Sequence, residues 1–169
     1  MPLLRNLLCV VTLAVPVAAT AQIEVSFRDG APKDSFVVTN TAGCATAPMT
    51  LAIDMSQSTG KLIFDVTGAG AGVEVFQPLE FTGGAEFLAV VPDVSDGQTS
   101  LVLDLASLPP GGRVSFTIDV DDTIGQREIT VSGSEMQGSQ LRVLSGFETE
   151  PGTFDDTATA RVPTPDCMS

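Results

Sequence analysis

The stretch Arg113-Val114-Ser115-Phe116-Thr117-Ile118-Asp119-Val120 alternates polar and apolar side chains at every step. A period of two is typical of a β-strand that packs one face into a hydrophobic core. The predicted core face consists of Val114, Phe116, Ile118 and Val120. Asp119 lies on the opposite face, which we expect to be exposed to solvent.

Similar short runs recur along the chain, separated by turn signals such as Asp29-Gly30, Asp96-Gly97 and Pro109-Pro110-Gly111-Gly112. No stretch has the apolar spacing of an amphipathic helix of ten or more residues. About ten strands at this spacing predict an all-β fold, a single antiparallel β-sandwich of immunoglobulin-like or jelly-roll type. In the run 61–66, alternation places Asp65 opposite Leu62 and Phe64, so Asp65 is also predicted to face outward.

The first 21 residues resemble a secretory leader. Arg5 supplies a positive charge, the run 7–17 is mostly apolar, and Ala19-Thr20-Ala21 has the small-x-small pattern of a cleavage site. The apolar run is shorter than the roughly 20 residues that span a bilayer. We therefore expect residues 1–21 to be a signal peptide cleaved near Ala21-Gln22, and 22–169 to be one domain. The expected location is secreted, periplasmic or at the cell surface, without membrane insertion of the mature chain.

The chain is strongly acidic, with a formal net charge of −13, which becomes −14 when Arg5 is removed with the leader. This charge disfavours binding to nucleic acid or anionic lipid, and it favours divalent cations, cationic partners or simple solubility. The sequence contains no His, Trp or Tyr. Serine-histidine triads and histidine-ligated zinc are therefore excluded, whereas hydrolysis by a pair of carboxylates is not.

Three cysteines are present, and Cys9 lies in the predicted leader. The remaining two, Cys44 and Cys167, are expected to pair in an oxidising compartment. Their separation does not fit a C-x-x-C redox site. The predicted disulfide would fasten the C-terminal segment to the loop that carries Cys44.

The densest acidic group is Asp119, Asp121 and Asp122, at the end of the strong strand. Alternation places the Asp119 and Asp121 carboxylates on the same side. Calcium, which takes 6–8 oxygen ligands in flexible geometry, is the candidate ion for these three residues. The alternative is a charged hairpin that stays in water or protects a sheet edge. A second acidic turn, 92–97, is interpreted as structural, because Asp side chains there can bind turn backbone.

Four segments resemble a group of small exported proteins of marine alphaproteobacteria labelled "aggregation factor core". The segments are Leu62–Pro78, Phe116–Thr123, Arg127–Gly133 and Asp29–Asp34. The label derives from the sponge aggregation factor core protein, a component of a calcium-dependent adhesion proteoglycan. The resemblance implies a role in adhesion and a sandwich similar to Calx-β modules, whose calcium ligands cluster in an acidic loop. Asp121-Asp122 resembles the start of such a loop, whereas 123–126 departs from it.

These observations favour a secreted, non-enzymatic β-sandwich that acts in cell-surface association or extracellular matrix assembly. Its expected partner is a protein or glycan outside the cytoplasm, and calcium is its only candidate cofactor. One alternative is an exported carboxylate-pair hydrolase acting on polysaccharide. Another is a periplasmic structural subunit that assembles by strand addition.

Overall fold

A computed structural model of the protein describes residues 22–68, 76–124, 131–148 and 151–163. The predicted leader and Cys167 lie outside these residues, as does most of the predicted strand 127–132. Cys44 is disulfide-bonded. Its pairing with Cys167 stays a prediction.

Two antiparallel sheets contain most of the strand residues of the described chain, which is 45% strand and 2% helix. The first sheet consists of β1 (Gln22–Arg28), β2 (Asp34–Asn40), β5 (Glu80–Gly83), β8 (Arg113–Ile118) and β13 (Thr159–Pro163). Its strand order is β13-β1-β2-β8-β5. The second consists of β3 (Met49–Asp54), β6 (Leu88–Val90), β7 (Ser100–Leu105), β10 (Gln140–Ser145), β11 (Phe147–Glu148) and β12 (Gly152–Thr153). Its order is β11-β10-β3-β7-β6, with β12 also paired to β10.

The core lies between the two sheets and follows the alternation of the strands. In β8, Val114, Phe116 and Ile118 are all fully buried, as the sequence predicts. Phe116 lies opposite Phe36 of β2 in the register, and their rings stack with centroids 5.1 Å apart. The predicted all-β class and antiparallel sandwich are confirmed. Its finer type, immunoglobulin-like or jelly-roll, stays a prediction.

A short two-stranded sheet positions Asp65, Asp119 and Asp121. It pairs β4 (Ile63–Phe64) with β9 (Val120–Asp121). After Ile118 the chain leaves the first sheet, and Val120 then pairs with Phe64. The loop that follows β6 is hydrogen-bonded to the backbone of this pair: the Phe64 N–H donates to the Gln98 carbonyl at 2.8 Å, and the Phe64 carbonyl accepts from the Gly97 N–H at 2.9 Å.

The predicted outward orientation of Asp65 and Asp119 is wrong. Asp65 is 1% exposed and Asp119 is 6% exposed. Alternation assigned both residues to the face opposite the core side chains. The error was to expect this second face to be exposed to solvent. Here Leu62, Ile63 and Phe64 are all buried, so the β4 segment is covered on both faces.

Two of the edge strands, β5 and β6, carry features that hinder pairing with another chain. β5 has an exposed Glu80 and a register shift between Phe81 and Gly83. β6 has only three residues and a register shift between Leu88 and Val90. Short, charged or bulged edges are poor templates for strand addition. Within the described residues, no helix has the length and apolar character to span a membrane.

Candidate metal centre

Three buried carboxylates meet where β4 and β9 pair. Asp65, Asp119 and Asp121 each place one carboxylate oxygen within 4.8 Å of the others. The register Ile63 to Asp121 and Phe64 to Val120 brings Asp65 opposite Asp119. The Asp65 N–H donates to the Asp119 carbonyl at 3.1 Å, which extends this pairing by one residue.

This group overlaps with the predicted set but is not identical to it. Asp119 and Asp121 point toward a common place, in agreement with the alternation. Asp122 is buried, at 7% exposed, but does not belong to the group of three. The third member of the group is Asp65, which the sequence predicted to lie at the surface. The signal that indicates its role is a carboxylate directly after the apolar run Leu62-Ile63-Phe64, because charged groups are rarely buried without a ligand or partner.

Several oxygens of this cluster have no hydrogen-bond partner among the described residues. These atoms are both carboxylate oxygens of Asp65 and Oδ2 of Asp119. Leaving a buried polar group unpaired costs about 1–3 kcal/mol, and more when the group is charged. The site therefore favours either a proton or a cation on these oxygens.

Burial and like charges raise the pKa values of Asp65 and Asp119. The pKa of Asp65 rises to about 7, chiefly because burial disfavours the charged form and further because the Asp96 and Asp121 carboxylates lie close by. The pKa of Asp119 also rises to about 7, from burial and then from the charges of Asp121 and Asp34. A cation at these oxygens would compete with protons for them.

Asp34, at the start of β2, lies beside the cluster and is 2% exposed. Its Oδ2 accepts a hydrogen bond from the Val120 N–H at 3.0 Å, and its Oδ1 accepts one from Gly30 at 3.1 Å. Burial raises the pKa of Asp34 to about 7 although these two donors oppose the shift. Asp34 thus holds the backbone between Asp119 and Asp121.

Asp96 binds the backbone of the segment that follows Asp65, as Asp34 binds the backbone between Asp119 and Asp121. Its Oδ1 accepts hydrogen bonds from the N–H groups of Val66 and Thr67, each at 2.9 Å. Burial alone would raise the pKa of Asp96, but these donors outweigh it and hold that pKa below its usual range. The acidic turn 92–97 was interpreted as structural; its Asp96 binds the backbone of a segment about 30 residues away.

The hypothesis of a solvated charged hairpin is wrong for Asp119, Asp121 and Asp122, because all three are at most 7% exposed. A groove of about 250 Å³ is lined by Val66 and Thr67, which follow Asp65, and by residues of the segments 78–79 and 92–94. The three clustered carboxylates do not line it. Chemically, the cluster offers hard, anionic oxygen ligands, which is the donor type that calcium prefers.

Comparison with known proteins does not place the chain in a family. No protein-family model matches it, and no curated protein is significantly similar to it.

Proposed function

We propose that this protein is an exported, non-enzymatic β-sandwich that acts in cell-surface association or extracellular matrix assembly and binds calcium. Asp65, Asp119 and Asp121 supply the carboxylate ligands. One observation carries the cation site: neither oxygen of the buried Asp65 accepts a hydrogen bond from an N–H or O–H group, and this carboxylate lies in a cluster with two further carboxylates. The resemblance to aggregation-factor-type proteins supports the adhesive role.

Calcium suits this site because of charge and ligand type. Three carboxylates that converge within 4.8 Å repel one another strongly in a buried environment. A divalent cation replaces that repulsion with attraction and gives the unpaired oxygens of Asp65 a ligand bond. Backbone carbonyls and water can complete its coordination shell.

The burial of the ligands determines what the cation does. Because Asp65, Asp119 and Asp121 are 1–6% exposed, a cation there is enclosed by one molecule and does not bridge two acidic surfaces. It cross-links the β4 segment to the β9 segment. Calcium therefore supports association indirectly, by holding the domain in the form that its protein or glycan partner recognises.

The two alternative functions receive less support. A polysaccharide hydrolase needs two acids across an open cleft, whereas the clustered acids here are buried. Strand addition needs a long free edge, whereas the edge strands β5 and β6 are short and have register shifts, and the edge strand β13 has only five residues and ends at Pro163.

The first test measures the thermal midpoint of unfolding in EDTA, in millimolar calcium and in millimolar magnesium. A ligand at ten times its Kd stabilises the native state by about 1.4 kcal/mol, which raises the midpoint by several degrees. We expect a rise with calcium that exceeds the rise with magnesium. Asp65→Asn should abolish the calcium effect, whereas Glu86→Gln, which removes an exposed charge, should retain it. Equal responses to both ions, or none, would contradict the calcium site.

The adhesive role needs a separate assay. Beads coated with the chain are mixed with cells or cell-surface extract of the producing organism, with and without calcium. We expect clumping that depends on calcium and weakens in Asp65→Asn. Calcium binding without clumping would retain the metal site and reject the adhesive role.

A further inference from the structure

We propose that Asp34 and Asp96 are positioning residues of the cation site, which hold its two ligand-bearing segments in place without binding the cation themselves. This inference rests on the proposed calcium site. It concerns two carboxylates outside the group of three whose oxygens converge within 4.8 Å.

Asp34 acts on the segment that carries two ligands. Its Oδ2 accepts a hydrogen bond from the Val120 N–H, and Val120 lies between Asp119 and Asp121 in the chain. The other oxygen of Asp34 is bound to Gly30 at 3.1 Å. Both oxygens therefore bind backbone, and the carboxylate links the turn before β2 to the strand β9.

Asp96 acts on the segment that carries the third ligand. Its Oδ1 accepts hydrogen bonds from Val66 and Thr67, the two residues that follow Asp65. Each ligand-bearing segment is thus fixed by a carboxylate from a distant part of the chain. The separations are 86 residues for Asp34 and Val120, and 30 for Asp96 and Val66.

Two further observations indicate that the segments held by Asp34 and Asp96 bind a ligand. Neither oxygen of the buried Asp65 accepts a hydrogen bond from an N–H or O–H group of the described residues, and the same is true of Oδ2 of Asp119. Residues that orient metal ligands commonly change metal affinity by about 10- to 100-fold when they are replaced. Fixing the backbone on both sides of the cluster reduces the conformational freedom that the ligands lose on binding.

The test measures calcium affinity by titration calorimetry on the purified chain, for the wild type, Asp34→Asn and Asp96→Ala. Asparagine at position 34 cannot accept hydrogen bonds at both ends of its side chain, so one backbone contact is lost. We expect the Kd to rise by about 10-fold or more in each variant.

Two controls test whether the loss of an exposed charge in the same loop, or a general loss of stability, changes the affinity. Asp93→Ala removes a carboxylate from the same loop as Asp96. Asp155→Ala removes a carboxylate that accepts hydrogen bonds from the backbone N–H groups of Thr157 and Thr159, neither of which adjoins a ligand. Both controls should leave the Kd within about twofold of the wild type, although Asp155→Ala lowers stability.

A second readout follows the ligands directly. Terbium replaces calcium, and its luminescence lifetime in water and heavy water reports the number of bound waters. Displaced carboxylates are replaced by water, so this number should increase in Asp34→Asn and Asp96→Ala and stay constant in both controls. If Asp34 and Asp96 had a purely structural role, their replacement would lower stability without increasing the number of bound waters.

The outcomes are distinguishable. Wild-type affinity and hydration in Asp34→Asn and Asp96→Ala would overturn the inference and leave the calcium site intact. An equal loss of affinity in Asp93→Ala would also overturn it, because charge alone would then explain the effect. If the wild type binds no calcium, the proposed function fails and this inference fails with it. If Asp34→Asn does not fold, Asp96→Ala decides, because Asp96 lies in a partly exposed loop.

Discussion

The carboxylate of Asp34 accepts a hydrogen bond from the backbone N–H of Val120 at 3.0 Å, across 86 residues of chain. Val120 lies between two residues of a buried acidic cluster, Asp119 and Asp121. The contact therefore joins the first sheet, which contains β2, to the short β4–β9 pair. It also brings a further carboxylate close to a cluster that is already rich in negative charge.

We expect the cation-free protein to lose stability as the pH rises from about 5 to 8. Burial raises the pKa values of Asp34, Asp65 and Asp119 to about 7, above the usual value of 3.8. Between these values the native state binds more protons than the unfolded state, so the free energy of unfolding falls with increasing pH. The thermal midpoint in EDTA should drop by several degrees, and saturating calcium should reduce the drop.

The general negative charge of the chain acts in the same direction, so the series is repeated in high salt, which screens exposed charges more than buried ones. The pH dependence should persist there. A midpoint in EDTA that rises between pH 5 and 8 would contradict the assigned pKa shifts.

Asp65→Asn should stabilise the cation-free protein at pH 8, because it removes a buried carboxylate whose two oxygens lack hydrogen-bond partners. At pH 5, where the Asp65 carboxyl is protonated, the same variant should change the thermal midpoint little. The exposed Glu86→Gln is the control for loss of one negative charge. A destabilised Asp65→Asn at pH 8 in EDTA would show that the carboxylate is stabilised by contacts other than those described.

Asn40→Ala should lower the free energy of unfolding by about 2–3 kcal/mol. Asn40 is fully buried, and its Nδ2 donates to the carbonyls of Cys44 and Leu108, each at 2.8 Å. Its Oδ1 accepts from the Ala42 N–H at 2.9 Å, so alanine leaves several buried groups unpaired. Urea denaturation measures the change. Thr41→Ala, at an exposed neighbouring position, should cost far less, and similar losses in both variants would argue against this bonding.

Non-reducing peptide mapping should recover the Cys44 peptide linked to the Cys167 peptide. Cys44 is disulfide-bonded, and the experiment determines which cysteine is its partner. Closing so long a loop contributes up to about 4–5 kcal/mol in the chain-entropy model, so reduction should lower the denaturation midpoint. A free thiol at Cys167, or another partner for Cys44, would reject the predicted pair.

The alternation of single strands was readable from sequence because a pleated strand turns successive side chains to opposite faces. In β8 this rule correctly assigned Phe116 and Ile118 to the core, and turn residues between the runs indicated an antiparallel sandwich. The same rule placed Asp119 and Asp121 on one side, and these are two of the three residues of the acidic cluster. These features depend on neighbours within a few residues, and local sequence encodes them.

The remainder of the site depends on which elements meet in space. Alternation shows that Asp65 and Phe64 lie on opposite faces, but it cannot show that both faces are covered. The surroundings of this segment include the loop containing Gly97 and Gln98, whose backbone hydrogen bonds with Phe64 span more than 30 residues. The contact between Asp34 and Val120 likewise joins residues that come together only when the first sheet has formed. Sequence alone therefore determined the all-β class and the candidate acidic strand, whereas tertiary packing decided that the carboxylates are buried, because burial is set by residues far away in the chain.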